Sequence, residues 1–177
     1  LNRVIPFKHT QVYAKLEWFN PFGAVKDRVA ANLLADGEAR RSVGPNQKLV
    51  EPTSGNTGMA LAMLANVKGY TLTTPLSSEI PLEKRTMLRF FGADVMELQD
   101  TLCPAPGAPE GAIAKAMELG DRPDFHMLNQ YVNEANPDAH YKTTGPEIWR
   151  QTGGEVSHFA AGLGTCGTIT GTGRFLK

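Results

Sequence analysis

The sequence predicts an α/β protein organised around a parallel sheet. Short apolar, strand-like segments alternate with helical patterns along all 177 residues. Two strand-to-helix junctions, at 53–58 and 162–168, are rich in Gly, Ser, Thr and Asn, the composition of turns that open a helix over a ligand.

Taken in order, VYAKLEW (12–18) reads as a strand and NPFGA (20–24) as a turn. A helix follows over about 25–40, then a strand in KLVEPT (48–53). The Ala/Leu/Met-rich segment 57–66 is too apolar for a surface helix and is expected to be buried. TLTTPL (71–76) is the next strand. Residues 82–91 are helical, with Leu82, Met87, Phe90 and Phe91 near one face, and ADVMEL (93–98) returns to strand. Three prolines and a glycine mark 101–109 as a surface loop. Helices follow at 110–119 and 141–151, SHFAAGL (157–163) reads as a buried strand, and a last helix starts at about Thr168. Trp18 and Trp149 are expected in the core. No internal repeat or independent linker interrupts the pattern; Asn20-Pro21 and Asn136-Pro137 are the candidate crossings between two lobes.

Composition excludes several classes. Lys plus Arg number 18 and Asp plus Glu 18, giving a net charge of zero, and the two signs are interspersed. That pattern offers no electrostatic footprint for nucleic acid. No segment approaches the roughly 18 apolar residues of a membrane span. Cys103 and Cys166 stand far apart, with neither a disulfide framework nor paired zinc spacing, and His9, His126, His140 and His158 form no metal-binding cluster. A reducing, cytoplasm-like compartment is expected, with no metal. Both ends read as interior to a longer chain.

Three stretches carry chemistry. In NPFGAVKDR (20–28), Lys26 opens a helix, where the helix dipole disfavours a further positive charge and helps keep an amine neutral and nucleophilic. Taken alone, this stretch is better read as a solvated lysine in a charged first turn, with Asp27 and Arg28 steadying that turn. In TSGNTG (53–58), small hydroxyl residues, an amide and two glycines expose backbone N–H groups suited to a carboxylate. Plain capping by Ser54 or Thr57 is the simpler alternative. A hydrolase elbow is excluded, because GxSxG around Ser54 requires glycine where Pro52 and Asn56 stand. In GLGTCGT (162–168), glycines and threonines over a helix N-terminus make a phosphate cradle. It lacks the Lys-Ser/Thr pair of a Walker A loop. It does match GxGxxG, a weak signal by itself, but the position about 20 residues later where a dinucleotide fold needs an acid would fall past Lys177, so no such acid supports that reading.

Together, NPFGAVKDR, EPTSGNTG (51–58), HYKTTGPEIW (140–149) and GLGTCGTITG (162–171) resemble, in content and order, the cysteine synthase family within the fold-type II pyridoxal-phosphate enzymes. The resemblance covers nearly the whole chain, including KGYTLTTPLSSEIPLEKRTMLRFFGAD (68–94). It implies two three-layer αβα lobes, here truncated: a smaller lobe over about 20–130, with 1–19 and 131–177 belonging to a larger, cofactor-binding lobe. It also implies pyridoxal 5′-phosphate as cofactor. Lys26 would carry the internal aldimine and then take the α-proton. Asn56 would bond the cofactor's phenolic oxygen. Thr53, Ser54, Gly55, Asn56, Thr57 and Gln130 would hold the substrate carboxylate, and Gly164, Thr165, Cys166, Gly167 and Thr168 the phosphate. The implied reaction is β-replacement on O-acetylserine or O-phosphoserine by a sulfur nucleophile, through an aminoacrylate, to give cysteine. A homodimer is implied, with no nucleic-acid or membrane partner.

Two alternatives remain within this resemblance: a cystathionine β-synthase-type or dehydratase-type lyase, and a non-catalytic truncated homologue. Dehydratases typically show SFKxRGA and SGNxA where AVKDRVA and SGNTG stand here. The chain departs from the family at Ala24, where serine is common, and at Cys166, which replaces a glycine. Cys166 is expected to be a packing residue that contributes only its backbone, provided its backbone angles suit a non-glycine.

Overall fold

The computed structural model describes residues 1, 6, 9–44, 46–99 and 111–177. Among the described residues, four strands, β1 (Lys48–Val50), β2 (Leu72–Ser77), β3 (Asp94–Leu98) and β4 (Phe125–Met127), form one sheet in the order β3-β2-β1-β4. All three pairings are parallel. Parallel neighbours require crossovers, and helices α1 (Lys26–Ala39), α2 (Asn56–Lys68), α3 (Leu82–Phe90) and α4 (Ala112–Gly120) lie between and beside them in sequence. Then come α5 (Ala135–Ala139), a π-helical turn (His140–Thr144), α6 (Gly145–Gln151) and α7 (Gly167–Leu176).

Three layers result. On one face of the sheet Val29, Leu33 and Leu34 of α1 and Ala60, Leu61 and Ala65 of α2 pack with Leu49, Leu72 and Leu76. On the other, Ala116 and Leu119 of α4 pack with Val50 and Phe125. Truncating one of the fully buried leucines to alanine would cost about 2–5 kcal/mol. The apolar α2 ends cleanly because Gly69 adopts the left-handed conformation (φ 79°) that few other residues accept.

Pro75 sits inside β2, where a missing N–H normally weakens a ladder. Thr73 accepts from Glu51, so it and Pro75, two residues on, face the β1 side. There β1 has already ended at Val50, paired with Thr73, so nothing is lost.

The strand order reverses direction at β1, with β2 on one side and β4 on the other. In open parallel sheets the crevice beyond the carboxyl ends of strands at such a switch is where ligands bind. Here those ends lead into 51–58 after β1 and 128–136 after β4.

Several expectations are corrected. Residues 12–18 form no strand; the carboxylate of Glu17 accepts from Asn20 and Arg28, and the chain turns into a 3-10 helix at Glu17–Phe19. Residues 157–163 make no backbone hydrogen bond with another strand among the described residues, and Leu163 is 79% exposed. Apolar content alone does not make a strand without a neighbouring ladder. Trp18 and Trp149 are exposed, as are Leu82, Met87 and Phe90, whereas Leu88 is the buried residue of α3. Strand β4 and helix α5 were not foreseen. The loop at 101–109, with Cys103, lies outside the described residues.

Candidate active site

Lys26 is the first residue of α1, half-buried, and its amine makes no hydrogen bond or ion pair among the described residues. Burial lowers its pKa, an effect countered in part by the nearby thiol of Cys166. A lysine without a counter-ion, desolvated at a helix N-terminus, is an amine biased towards its neutral, nucleophilic form. Its approach is fixed by neighbours. Asp27 accepts the N–H of Phe22 at 2.7 Å, closing the NPFGA turn. Arg28 donates to both oxygens of Glu147 at 2.8 Å and to Glu17 at 2.8 Å, and Lys15 joins Glu147 at 2.6 Å. The Arg28 hydrogen bonds pull the Glu147 carboxyl down to about 2.

The loop after β1 is not a side-chain capping turn. Gly55, not Ser54 or Thr57, precedes α2, and no side chain caps the helix. The amides of Asn56, Thr57 and Gly58 make no hydrogen bond among the described residues; the ladder starts at Met59, which donates to Gly55. Thr53 is buried and accepts from the amide of Gly55 at 3.4 Å. Ser54 and Gly55 are half-buried, and Asn56 is exposed with an unengaged side chain. Thr57 is buried and donates its hydroxyl to Oε1 of Gln130 at 2.9 Å. The two substrate-side stretches implied by the resemblance, 53–57 and Gln130, therefore meet at the switch point.

The junction at 162–168 opens α7 with Cys166 at the N-cap. Amides of Gly167, Thr168 and Ile169 are unpaired among the described residues, and Thr170 is the first to donate, to Cys166. Gly167 is needed for space: a Cβ there would fall 1.9 Å from Oδ1 of Asn136. Cys166 takes φ 61°, ψ 0°, so the condition that its angles suit a non-glycine is not met, and its side chain is exposed, so it is not the packing residue expected; it is accommodated under strain. Gly164 is exposed. Thr165 accepts from Nδ2 of Asn136 at 2.7 Å, which leaves its own O–H free to donate. Thr168 lies 3.2 Å from Nε2 of His140.

Three residues that the sequence reading passed over complete the site. His140 is fully buried, with Nδ1 2.9 Å from the Thr144 hydroxyl. Burial, reinforced by the positive charges of Lys26 and Arg28, pushes its pKa down to about 4, so the ring is neutral. Glu51 is fully buried and accepts the amides of Asn129 at 2.7 Å and Gln130 at 3.1 Å; burial pushes its pKa up to about 7 against those hydrogen bonds. Asn136 donates to the carbonyl of Gln130 at 2.8 Å as well as to Thr165. A carboxylate at the end of an apolar strand was the available signal for Glu51. His140 lay inside a quoted motif, but only the fold brings it to Thr168. Between Gln130, Asn136, Thr165 and Gly167 lies a cleft of about 170 Å³. A larger hollow of about 490 Å³ lies between 156–159 and α7, and its lining includes none of Lys26, Gln130 or Asn136.

Unpaired amides over a glycine cradle, two hydroxyls and a bare amine fit a phosphorylated aldehyde such as pyridoxal phosphate. Comparison with known proteins agrees. The chain belongs to the family of pyridoxal-phosphate dependent enzymes, whose model matches residues 1–177. It is 43% identical over 177 residues to cysteine synthase B of Escherichia coli, covering 100% of this chain and 57% of that protein. It is 44% identical over 169 residues to cysteine synthase 3 of Caenorhabditis elegans, covering 94% of this chain and 49% of that protein. Among solved structures, a cysteine synthase of Entamoeba histolytica superposes with a TM-score of 0.80 at 33% identity, covering 92% of this chain and 47% of that one. An O-ureido-L-serine synthase does so with 0.81 at 37% identity, covering 92% and 50%. The chain thus spans about half the length of these relatives.

Proposed function

We propose that this chain supplies the lysine, the carboxylate loop and the phosphate loop of an enzyme that replaces the β-substituent of an activated serine with sulfur, producing cysteine. The observation that carries this reading is the meeting of Thr57 and Gln130 at the switch point, joined through Asn136 to the loop that opens α7. Pyridoxal phosphate, when bound, supplies an electron sink for negative charge at the amino acid's α-carbon.

The protein's own groups do the rest. Amides at the openings of α2 and α7 bind the substrate carboxylate and the cofactor phosphate, two anions at two helix N-termini. Thr53, Ser54, Gly55, Thr57 and Gln130 orient the substrate; Gly164, Thr165, Cys166, Gly167 and Thr168 hold the phosphate; Asn56 orients the cofactor ring. Lys26, kept short of protons by burial, attaches the cofactor and takes the proton from the α-carbon. O-acetylserine or O-phosphoserine as donor, a sulfur nucleophile as acceptor, a homodimeric cytoplasmic enzyme, and a smaller lobe over 20–130 belong to the same proposal. The lobe division is supported by the sheet, which lies wholly within 48–127, with α5–α7 outside it.

The test is to add pyridoxal phosphate, reduce with borohydride and map the labelled peptide. Lys26 is expected to be the labelled lysine, and a label on Lys48, Lys142 or another lysine overturns the assignment. Release of cysteine from O-acetylserine and sulfide supports β-replacement. Release of a keto acid from serine or threonine supports a dehydratase instead.

A further inference from the structure

Gln130 is held at more points than binding a substrate requires. Its N–H donates to Oε1 of Glu51, its C=O accepts from Nδ2 of Asn136, and its side-chain oxygen accepts from Thr57. Asn129 before it is left-handed (φ 55°), and its N–H donates to the other oxygen of the same carboxylate. A left-handed non-glycine residue persists where its surroundings over-determine it. Here the determinant is a carboxylate that is itself fully buried, beyond the end of β1. Leu128 still donates to Val50 across the β1–β4 pairing, so Glu51 takes over, with its side chain, where the backbone ladder stops. The other anchor, Asn136, is 1% exposed and joins two groups that lie 6 and 29 residues from it in sequence, on opposite sides: the Gln130 carbonyl and the Thr165 hydroxyl. Its Oδ1 has no hydrogen-bond partner among the described residues and faces Gly167, where a Cβ would fall 1.9 Å away.

We propose that Glu51 and Asn136 are positioning residues that hold Gln130 by its own main chain, setting Thr57 at the opening of α2 and Thr165 at the opening of α7 in one frame. This rests on the reading that the first of these openings serves the substrate carboxylate and the second the cofactor phosphate. Neither residue touches a reacting atom. Glu51 acts only on the substrate side, through the Asn129–Gln130 turn; Asn136 acts on both.

Glu51→Gln tests the first role, since an amide keeps the shape but offers one acceptor to two facing N–H groups. Followed by NMR on the ligand-free protein at pH 8, where the Glu51 carboxyl is ionised, exchange of the Asn129 and Gln130 amides is expected to quicken on the order of 10-fold, the loss of one hydrogen bond to a charged group. In the pyridoxal-phosphate-loaded protein, the KM for O-acetyl-L-serine is expected to rise about 10-fold, with kcat and cofactor affinity held within about twofold. Asn136→Asp is expected to weaken both ligands by about 10-fold, because the donor to both loops is gone. A lower urea midpoint for Glu51→Gln, with exchange and KM unchanged, overturns the proposal, as does an equal loss of cofactor and substrate affinity. Should Glu51→Gln fail to fold, unchanged affinities in Asn136→Asp overturn it, and a joint loss at constant kcat upholds it. If the unaltered protein takes up no pyridoxal phosphate, the functional reading fails, while the exchange measurement, which needs no ligand, still judges the clamp.

Discussion

His140 and Glu51 titrate against each other, and the stability of the protein between pH 4.5 and 6.5 should expose it. The folded pKa of His140 is depressed from 6.5 to about 4, by burial and then by Lys26 and Arg28, with Glu17 opposing. Between those values the unfolded chain binds the proton and the folded one does not, so stability falls as pH falls. That difference corresponds to about 3 kcal/mol, lost progressively from pH 6.5 down to 4. Glu51 is raised from 4.5 to about 7, so the folded chain binds the extra proton and stability falls as pH rises through the same window, by a similar amount. Their contributions to the slope have opposite signs and oppose each other in the unaltered protein. Urea unfolding at pH 4.5, 5.5, 6.5 and 7.5 measures the remainder. Glu51→Gln should leave the His140 slope exposed, steepening the loss of stability on acidification by about 1 kcal/mol per unit. His140→Asn should do the reverse. If the curves of both variants run parallel to that of the parent, neither group has a different pKa in the folded state, and the electrostatic description of this site is wrong.

Gly167→Ala should destabilise by about 1–3 kcal/mol in thermal unfolding, because its Cβ would fall 1.9 Å from Asn136 Oδ1; an unchanged melting temperature refutes the close approach. Cys166→Gly removes a left-handed strain of about 1–2 kcal/mol but frees the unfolded chain by somewhat less, so melting should be unchanged or slightly raised, while Cys166→Ala changes nothing. Asn56→Ala should leave stability within about 0.5 kcal/mol, since the side chain is exposed and caps nothing, yet alter the absorbance of bound pyridoxal phosphate. A fall of about 1 kcal/mol with an unchanged spectrum would make Asn56 a cap after all.

Much of the fold was legible because its signals are local. Gly69 ends α2, the apolar stretch around Leu61 buries it, and Thr53 to Gly58 carry the composition of a loop over a helix opening. What stayed illegible depended on pairing across the sequence. FHM (125–127) is too short and too polar to announce a strand, and it becomes one only by lying beside Lys48–Val50. The segment around Tyr13 has strand-like alternation without a ladder to join. The site divides in the same way. Lys26, Thr57, Gln130 and Thr165 belong to stretches whose composition or family resemblance marked them. Glu51, Asn136 and His140 matter through partners 28 to 79 positions away, which no window of sequence displays.

The Arg28 hub has a geometric consequence for Lys26. Successive residues of a helix are about 100° apart, so Arg28 leaves α1 about 200° around from Lys26, on nearly the opposite side. Its guanidinium is gripped by Glu17 before the helix and by Glu147 on α6, and Lys15 shares the second of these. Held from behind at the same turn that carries the amine, α1 cannot spin about its axis without breaking both ion pairs of Arg28. The heading of the lysine is thereby indexed to α6, and a displacement of α6 would register first as a change in the direction in which that amine points.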